Sequence, residues 1–375
     1  MTSPSVIVNL LDLAAASVAS TIVAADTIKK LSDPESEGKN TRLKDDGSFV
    51  TDADLAAQVI IVSALRNVST DVRIVGEESA EDTASHRVNI KRYEGANESM
   101  FRLAQQEILL RYNRSNGAMP LAQTVASEAN DVTSAAVDQE NDGISSASLI
   151  MPCMEQYQVE ASRISVFIDP LDGTKAYARG DYEPVSILIA IILDGRPCFG
   201  VIGKPYGYRG QTSILDTGCV AVYGGTLLGG VFTAGGGICT LQRRPDVLPR
   251  AVISGSRSKG VVQDFVSHLG SKGMIDPEPM LISGAGEKSL RIVLRTENEG
   301  LWFFPKAGTS LWDVAASDAL LRAIGGKLTD KYGQELDYSK SRADAENEDG
   351  VVACYDDKLH AECIRLFLEG TWIDR

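Results

Sequence analysis

Apolar residues recur at helical spacing in the N-terminal part of the chain. Residues 4–31 have this spacing throughout and predict one long amphipathic helix. A polar, charged link follows at residues 32–47. The segment SFVTDADLAAQVIIVSALRNV then places capping residues before apolar i, i+3, i+4 positions, so a second helix is predicted to begin near Thr51 or Ala53. RIVGEES predicts a short strand that ends at Gly76.

A long polar stretch interrupts this pattern at residues 80–160. It is rich in Ser, Asn, Ala and acidic residues and has weak periodicity, apart from FRLAQQEILLRY, which predicts one helix. A stretch of this length between regular elements is typical of an insertion. We therefore expect an insertion that is partly helical.

The pattern after this stretch is that of strands. ISVFIDPLD begins at Ile164 with a run of β-branched and aromatic residues, which predicts a buried strand. The next segment, PVSILIAIILDGRPCFGVIGKP, has two apolar runs joined at Asp194 and Gly195. An Asp-Gly pair between two such runs is a strong signal for a β-hairpin.

Strands and helices alternate in the second half of the chain. Glycine-rich short strands (CVAVYGGTLLGGVFTAGGG) come first, followed by strands RAVISGS, PMLISG, GLWFFP, KLTD and GVVACY and helices VVQDFVSHLG, EKSLRIVLR, LWDVAASDALLRAI and LHAECIRLFLEG. The third of these helices is expected to stop at Gly325 and Gly326, since glycine is the usual residue just past a helix end. The pattern predicts an α/β fold with an α+β N-terminal half.

Length and charge narrow the classes of function. A chain of 375 residues exceeds the size at which one hydrophobic core stops growing, so two domains are expected. The formal net charge of -14 argues against binding of nucleic-acid polymers, which requires a basic surface. A small phosphorylated ligand remains compatible with this charge if bound cations reverse the local field.

The sequence gives little support for a membrane protein, a zinc protein or a dinucleotide-binding protein. No run of 18 uninterrupted apolar residues is present, so no membrane span is expected. The six cysteines have no CxxC spacing, which favours reduced thiols in a cytoplasmic protein over a zinc site. The glycine clusters do not match a dinucleotide-binding fingerprint.

Acidic residues stand at four places where strands are predicted to end or helices to begin. Two carboxylates at the end of a buried strand repel each other and are poorly hydrated, and a hard divalent cation such as Mg²⁺ resolves that repulsion. In open α/β folds these ends line the ligand crevice. The four places are Asp52 with Asp54, Glu77 with Glu78, Asp169 with Asp172, and Asp313.

The Asp-Gly-Thr at 172–174 adds a site for an anion. If a helix begins near Gly173, its free backbone N–H groups suit a phosphate, and the Thr174 hydroxyl can orient a water molecule. The three histidines, His86, His268 and His360, are distant in sequence from every acid of the set. The pattern therefore indicates metal-assisted hydrolysis of a phosphate ester.

Four motifs together resemble the lithium-sensitive, magnesium-dependent phosphomonoesterases of the inositol monophosphatase superfamily. They are VTDAD (50–54), GEES (76–79), DPLDGT (169–174) and LWDVAASDALLRAIGGKLTD (311–330), and they occur in the order of that family. The resemblance implies a layered α/β/α/β/α sandwich in two domains. Residues 1–205 would carry most metal ligands and the insertion, and residues 206–375 would carry Asp313 and substrate contacts.

Two branches of the superfamily fit the sequence. DPLDGTKAYARG and GVIGKPYG are most similar to 3′(2′),5′-bisphosphate nucleotidases, which remove the 3′-phosphate of adenosine 3′,5′-bisphosphate. The corresponding phosphosulfate is a further expected substrate. The insertion between Glu77 and Asp169 favours the alternative, an inositol polyphosphate 1-phosphatase acting on inositol 1,4-bisphosphate or 1,3,4-trisphosphate. The glycine in Asp-Gly-Thr favours the nucleotidase, since the other branch tends to have serine there.

The resemblance also implies roles for individual residues. Two or three Mg²⁺ ions would be held by Glu77, Asp169, Asp172, Asp313 and the carbonyl of Leu171, with Glu78 as a further candidate. Asp54 and Thr174 would deprotonate the attacking water, and the backbone N–H groups of Gly173 and Thr174 would bind the phosphate. Substrate contacts would come from Ser256, Lys259, Gly284 and Lys288, where Lys259 replaces a histidine of the nucleotidase branch.

The same resemblance implies properties of the whole protein. Li⁺ is expected to inhibit it. Its partner is expected to be a small phosphorylated metabolite, with no nucleic-acid polymer and no membrane, and the protein would be a monomer or a homodimer.

Overall fold

The computed structural model describes residues 5–33, 41–44, 49–85, 91–115, 157–209, 218–234, 246–370 and 372. The strands are β1 Ile7–Asn9, β2 Thr41–Leu43, β3 Phe49–Thr51, β4 Arg73–Gly76, β5 Gln158–Glu160, β6 Ile164–Asp172, β7 Ser186–Leu193, β8 Arg196–Lys204, β9 Val220–Gly225, β10 Gly230–Thr233, β11 Arg250–Ile253, β12 Met280–Leu281, β13 Glu299–Phe304, β14 Lys327–Thr329 and β15 Val351–Cys354. The α-helices are α1 Leu10–Ser32, α2 Asp52–Val68, α3 Ala80–Ser85, α4 Lys91–Ser115, α5 Thr174–Ala178, α6 Val261–Ser271, α7 Ala285–Leu294, α8 Leu311–Ala323 and α9 Asp357–Glu369.

The larger sheet has six strands in the order β10-β9-β8-β7-β6-β4. Strand β4 runs parallel to β6, and the other neighbours are antiparallel. The turn between β7 and β8 is the predicted hairpin: Asp194 and Gly195 both have positive φ values, 51° and 77°. Two consecutive residues with positive φ give the turn whose twist matches paired strands. The hairpin prediction is confirmed.

The second sheet has five strands in the order β12-β11-β13-β15-β14. Strand β11 is parallel to both β12 and β13, whereas β15 is antiparallel to β13 and β14. Helix α6 connects β11 to β12, and α7 connects β12 to β13. Parallel neighbours require such crossover connections, so this half of the chain has the predicted α/β character.

Alternating side chains of β7 divide the protein into two hydrophobic cores. Ile187, Ile189 and Ile191 pack with α1, α2 and α4, while Leu188 and Ala190 face the core that contains α7 and α8. This alternation follows from the two-residue period of a strand. The six-stranded sheet therefore lies between two helical layers.

Strand β13 shows the same division in the second sheet. The ring of Phe303 lies 4.7 Å from that of Phe265 in α6 and 5.3 Å from that of Phe367 in α9. The neighbouring ring of Trp302 faces α7, where it contacts Lys288. The order of layers is thus helix, sheet, helix, sheet, helix, and the predicted α/β/α/β/α sandwich is confirmed.

Helix α1 is a core helix with an unusually apolar sequence. By length and composition alone this helix could cross a membrane, but most of its residues are buried inside the protein. It packs against α2, α4 and the six-stranded sheet. The predicted helix at 4–31 begins later than expected, because Ile7–Asn9 pairs with β5 as a strand and Asn9 Oδ1 accepts a hydrogen bond from Leu11 N at 2.9 Å.

Helix α4 belongs to the same core. Its buried face consists of Ala104, Ile108 and Tyr112, which lie four residues apart, and Gln105 Nε2 donates a hydrogen bond to Asp12 Oδ1 of α1 at 2.6 Å. The expectation of one helix at FRLAQQEILLRY is confirmed, and the helix is longer than expected. Residues 86–90 and 116–156 of the predicted insertion lie outside the described residues.

Sheet membership divides the chain later than the predicted boundary at residue 205. Strands β9 and β10 follow that residue, yet they extend the six-stranded sheet beyond β8. A boundary at 205 would cut this sheet in two. By sheet membership, the chain passes from one half to the other between Thr233 and Arg250.

Candidate active site

The carboxyl ends of β4 and β6 lie side by side because these two strands are parallel. Gly76 is the register partner of Ile168, and Glu77 N donates a hydrogen bond to Ile168 O at 3.0 Å. Glu77 therefore follows the end of β4 at a point next to Asp169, although the two residues are 92 positions apart in the sequence. The sequence prediction that strand ends gather these acids holds for this pair.

Asp169 lies at the centre of the acidic cluster. Its side chain is buried, and Leu171 N donates a hydrogen bond to its Oδ1 at 3.0 Å. Burial raises the pKa of Asp169 well above its usual value, and the nearby charges of Glu77, Asp172 and Asp313 raise it further. Such a group needs either a proton or a cation to be stable in this position.

Helix α8 brings Asp313 to the cluster. Asp313 is the third residue of the helix, and its Oδ2 accepts a hydrogen bond from Ser310 N at 2.7 Å in a capping box. Removal of its carboxyl from water raises the pKa of Asp313 to about 7, with a further contribution from Asp172. Because α8 carries it, this acid comes from the C-terminal half of the chain.

Asp172 joins the two halves. Its Oδ2 accepts hydrogen bonds from Ser186 Oγ in β7 at 3.0 Å and from Gly286 N in α7 at 2.8 Å. The register between β6 and β7 shifts between Asp169 and Asp172, and both residues lie at the same end of β6. These contacts fix Asp172 at the entrance of α7.

Thr174 and Asp54 form a hydrogen-bonded pair beside the acidic cluster. Thr174 Oγ1 lies 2.8 Å from Asp54 Oδ1 and 3.0 Å from the carbonyl oxygen of Leu171. The other oxygen of Asp54 accepts hydrogen bonds from Thr51 N, at 2.9 Å, and from Thr51 Oγ1. Burial raises the pKa of Asp54 to about 7. The predicted pair of Asp54 and Thr174 is therefore assembled in the structure.

The two glutamates after β4 have different surroundings. Glu77 lines the cleft, whereas the side chain of Glu78 is fully buried and its Oε1 lies 2.7 Å from Lys44 Nζ. Burial raises the pKa of Glu78 to about 7. Gln58 holds the backbone of Glu78 at both ends, since its Nε2 donates to Glu78 O at 2.5 Å and its Oε1 accepts from Glu78 N at 3.1 Å. Sequence reasoning did not identify Gln58, whose four-residue spacing from Asp54 was the available signal.

The donor set suits a divalent cation in its chemistry. As placed, no group of three or more His, Cys, Asp and Glu side chains within the described residues has the geometry to hold a metal ion. The charges of Glu77 and Asp313 lie close enough to Asp169 to raise its pKa. Several carboxylates and one carbonyl oxygen are the ligands that Mg²⁺ prefers, and their mutual repulsion favours such binding.

A cleft of about 520 Å³ opens at this cluster, between the two halves of the chain. Of the predicted substrate contacts, Gly173, Thr174, Ser256, Gly284 and Lys288 line it. Lys259 is exposed and is not among the residues that line the cleft. Arg257 lines it instead, a residue that sequence reasoning passed over although it stands in the same SGSRSK segment.

Lys288 is the buried cation of the cleft. Only 6% of its surface is exposed, and its Nζ lies 5.0 Å from the centre of the Trp302 ring. Burial lowers the pKa of Lys288 to about 8, while the charge of Asp172 acts in the opposite direction. The cleft therefore contains a buried positive charge in addition to its acids.

The sequence profile of the inositol monophosphatase family matches residues 113–368, more than half of the chain. This chain belongs to the inositol monophosphatase family. The prediction made from its four motifs is confirmed. Membership and its similarity to named phosphatases make the protein a phosphoric monoester hydrolase that acts on small phosphorylated metabolites.

Curated relatives include bisphosphate nucleotidases. The chain is 27% identical over 356 residues to 3′(2′),5′-bisphosphate nucleotidase 1 of Dictyostelium discoideum, which covers 92% of this chain and 93% of that protein. It is 33% identical over 229 residues to the protein of the same name from Homo sapiens, covering 60% of this chain and 68% of that one. It is also 26% identical over 187 residues to the human Golgi-resident adenosine 3′,5′-bisphosphate 3′-phosphatase, covering 49% of this chain and 46% of that protein.

Solved structures share the fold. Extragenic suppressor protein suhB from Bartonella henselae has a TM-score of 0.55 and 14% identity, covering 95% of this chain and 98% of that chain. CysQ from Bacteroides thetaiotaomicron, described as a bacterial member of the inositol monophosphatase family, has a TM-score of 0.53 and 16% identity, covering 92% of this chain and 97% of that chain. At these identities the likeness establishes the fold alone.

Proposed function

We propose that the protein is a magnesium-dependent phosphatase that removes the 3′-phosphate of adenosine 3′,5′-bisphosphate. One observation carries the proposal: the acidic cluster around Asp169 lies next to the hydrogen-bonded pair of Thr174 and Asp54, at a cleft that also contains the cations Arg257 and Lys288. In the reaction, water adds its oxygen to phosphorus, the bond between phosphorus and the 3′-oxygen breaks, and that oxygen takes up a proton. The products are AMP and phosphate.

The proposed ligands of the cation are Glu77, Asp169, Asp172, Asp313 and the carbonyl oxygen of Leu171. Bound Mg²⁺ would supply charge neutralisation at the phosphoryl oxygens and lower the pKa of a bound water. We assign Glu78 no ligand role, because its side chain is fully buried and is not among those that line the cleft. The number of ions, two or three, follows from the family resemblance, as does inhibition by Li⁺.

The protein's own groups would handle the proton of the attacking water. Thr174 Oγ1 would accept it while donating its own proton to Asp54 Oδ1, which lies 2.8 Å away. The raised pKa of Asp54, about 7, suits a base that works near neutral pH. Gly173 has a left-handed backbone, φ 88°, which presents the start of α5 to the cleft, and the backbone N–H groups of Gly173 and Thr174 are the proposed phosphate donors.

The substrate class rests on the nucleotidase relatives, and one observation favours a second candidate. Lys259 stands where the nucleotidase branch has a histidine, and it does not line the cleft. Lys259 therefore gives the nucleotide assignment no support. An inositol polyphosphate 1-phosphatase acting on inositol 1,4-bisphosphate remains the alternative.

Phosphate release from the two substrates, measured side by side, tests the proposal. We expect faster release from adenosine 3′,5′-bisphosphate than from inositol 1,4-bisphosphate in Mg²⁺, loss of release in EDTA, and inhibition by Li⁺. Rapid release from the inositide with none from the nucleotide would contradict the proposed substrate. Unchanged release from the nucleotide after removal of divalent cations would contradict the proposed role of the acidic cluster.

A further inference from the structure

Two cations on the C-terminal wall of the cleft have no assigned partner. Arg257 follows strand β11, and Lys288 lies in the first turns of α7. Both side chains line the cleft that also contains Asp172 and Thr174. Neither forms an ion pair with a carboxylate within the described part of the chain. A protein with a net charge of -14 thus keeps two unpaired cations at one place in its cleft.

The side chain of Arg257 is held in a defined position although it is exposed. Its Nη1 donates a hydrogen bond to Gly308 O at 2.8 Å, and its guanidinium lies 5.0 Å from the centre of the Phe304 ring. Gly308 has a φ of 118°, and a Cβ at this position would collide with Arg257 Nη1. The backbone of Gly308 therefore comes close enough to fix the guanidinium, whose remaining N–H groups can bind a ligand.

Lys288 completes the pair from the interior side. An isolated buried ammonium is costly, and contact with the Trp302 ring offsets only part of that cost. Burial is the main factor that lowers the pKa of Lys288; the charge of Asp172 raises it and the charge of Arg257 lowers it, so Arg257 is near enough to repel the ammonium. An anion bound between Arg257 and Lys288 would reduce this repulsion. A cation bound among the acids would reduce their repulsion in the same way.

We propose that Arg257, together with Lys288, binds the second, non-reacting phosphate of a bisphosphorylated substrate. This inference rests on the proposed function, in which the reacting phosphate binds at Gly173 and Thr174. The planar guanidinium of arginine offers paired N–H donors to phosphate oxygens, a geometry that lysine does not provide. Arg257 would then determine the preference for bisphosphates over monophosphates.

Arg257→Gln is the decisive variant. We expect its ratio of kcat/KM for adenosine 3′,5′-bisphosphate to that for adenosine 3′-phosphate to fall roughly tenfold or more, the usual size of a lost charge-assisted hydrogen bond. The loss should come mainly from KM for the bisphosphate. Arg257→Lys should keep part of the preference. Arg250→Gln is the matched control, because it removes the same charge at the start of β11, outside the cleft lining, and should not change the ratio.

Two outcomes would overturn the inference. Equal losses for both substrates in Arg257→Gln would place Arg257 at the reacting phosphate or in the framework of the cleft, and an unchanged ratio would exclude it from recognition. If the wild-type protein hydrolyses only inositol phosphates, the proposed substrate fails, and the same ratio is measured for inositol 1,4-bisphosphate against inositol 1-phosphate. A tenfold fall in that ratio would support the second phosphate site independently of the nucleotide.

Discussion

Thr174 shows how a single hydroxyl connects the parts of the site. Its oxygen lies within hydrogen-bonding distance of two acceptors, Asp54 Oδ1 and Leu171 O, yet it has only one proton to donate. Donation to Asp54 leaves the lone pairs of the hydroxyl available to a water molecule. The carboxyl of Asp54 is held in place from the other side by Thr51, so its free oxygen can only face Thr174.

Asp54→Asn is expected to reduce turnover by about 10²- to 10⁴-fold, the usual contribution of a general base. Asparagine can still accept the hydrogen bond from Thr51 N, but its amide cannot take up a proton from Thr174. We expect the variant to remain folded, with a loss of at most about 2 kcal/mol from the altered helix cap. Phosphate release and the thermal unfolding midpoint of the same preparation measure the two effects.

Asp52→Asn provides the matched control. Asp52 stands in the same turn of α2, and its Oδ1 lies 3.5 Å from Arg42 Nη2. The Asp52→Asn variant loses the same charge as Asp54→Asn and should show little change in turnover. Equal activity losses in both variants would mean that Asp54 acts through the charge of the helix start and not through proton transfer.

The difference between Lys259 and Arg257 shows the limit of sequence reasoning at this scale. The segment SGSRSK indicated a substrate contact, and that segment does reach the cleft through Ser254, Ser256 and Arg257. Which of its cations faces the cleft depends on backbone dihedrals after β11 and on the close approach of Gly308. Neither can be read from a single sequence. The acids were easier to predict, because each stands directly at a strand end or a helix start.

At the scale of elements, local signals predicted what local interactions determine. Capping residues predicted the start of α2 near Thr51 or Ala53, and the helix begins directly after Thr51 with a capping box. Helix α4 was different. Only its segment 101–112 was predicted as a helix, whereas the helix extends from Lys91 to Ser115. The added turns lie in the polar stretch of weak periodicity, where the sequence pattern gives no signal.

Ile108→Ala tests whether α4 is part of the folded core. Ile108 is 1% exposed and packs in the core that includes α1, so the variant should lose about 2–5 kcal/mol of unfolding free energy. Leu110, two residues along the same helix, is 40% exposed, and Leu110→Ala should cost much less. Urea unfolding at equilibrium measures both. Equal small losses in the two variants would mean that α4 does not contribute to the core.

At the scale of the molecule, the site exists only because two sheets meet. Asp169 and Asp172 belong to the first sheet, whereas α7 and α8 bring Lys288 and Asp313 from the connections of the second. The layered sandwich was predicted from the resemblance. The membership of β9 and β10 in the first sheet was not, because short glycine-rich strands do not indicate which edge they will join. Both halves of the chain therefore contribute acids to the cleft, Asp172 from the first and Asp313 from the second, and the second half adds Lys288.

This charge distribution predicts an unusual pH dependence of stability. Asp54 and Asp313 have pKa values raised to about 7 in the folded protein, against about 3.9 for an aspartate in an unfolded chain. The folded state therefore holds these protons more tightly. Stability from such a group is present at low pH and is lost as the pH rises through the folded pKa. As the pH rises from 6.5 to 8, each group should lower the free energy of unfolding by about 1 kcal/mol.

Thermal unfolding in EDTA and in excess Mg²⁺ tests this expectation. In EDTA the midpoint should be lower at pH 8 than at pH 6.5, and Mg²⁺ should raise it more at pH 8, because the cation replaces the lost protons as partner of the carboxylates. Asp313→Asn should reduce both the fall of the midpoint between pH 6.5 and pH 8 in EDTA and its rise in Mg²⁺. Asp264→Asn, in the exposed part of α6, should change neither. A wild-type midpoint that is equal or higher at pH 8 in EDTA would show that these carboxyls do not hold protons in the folded protein.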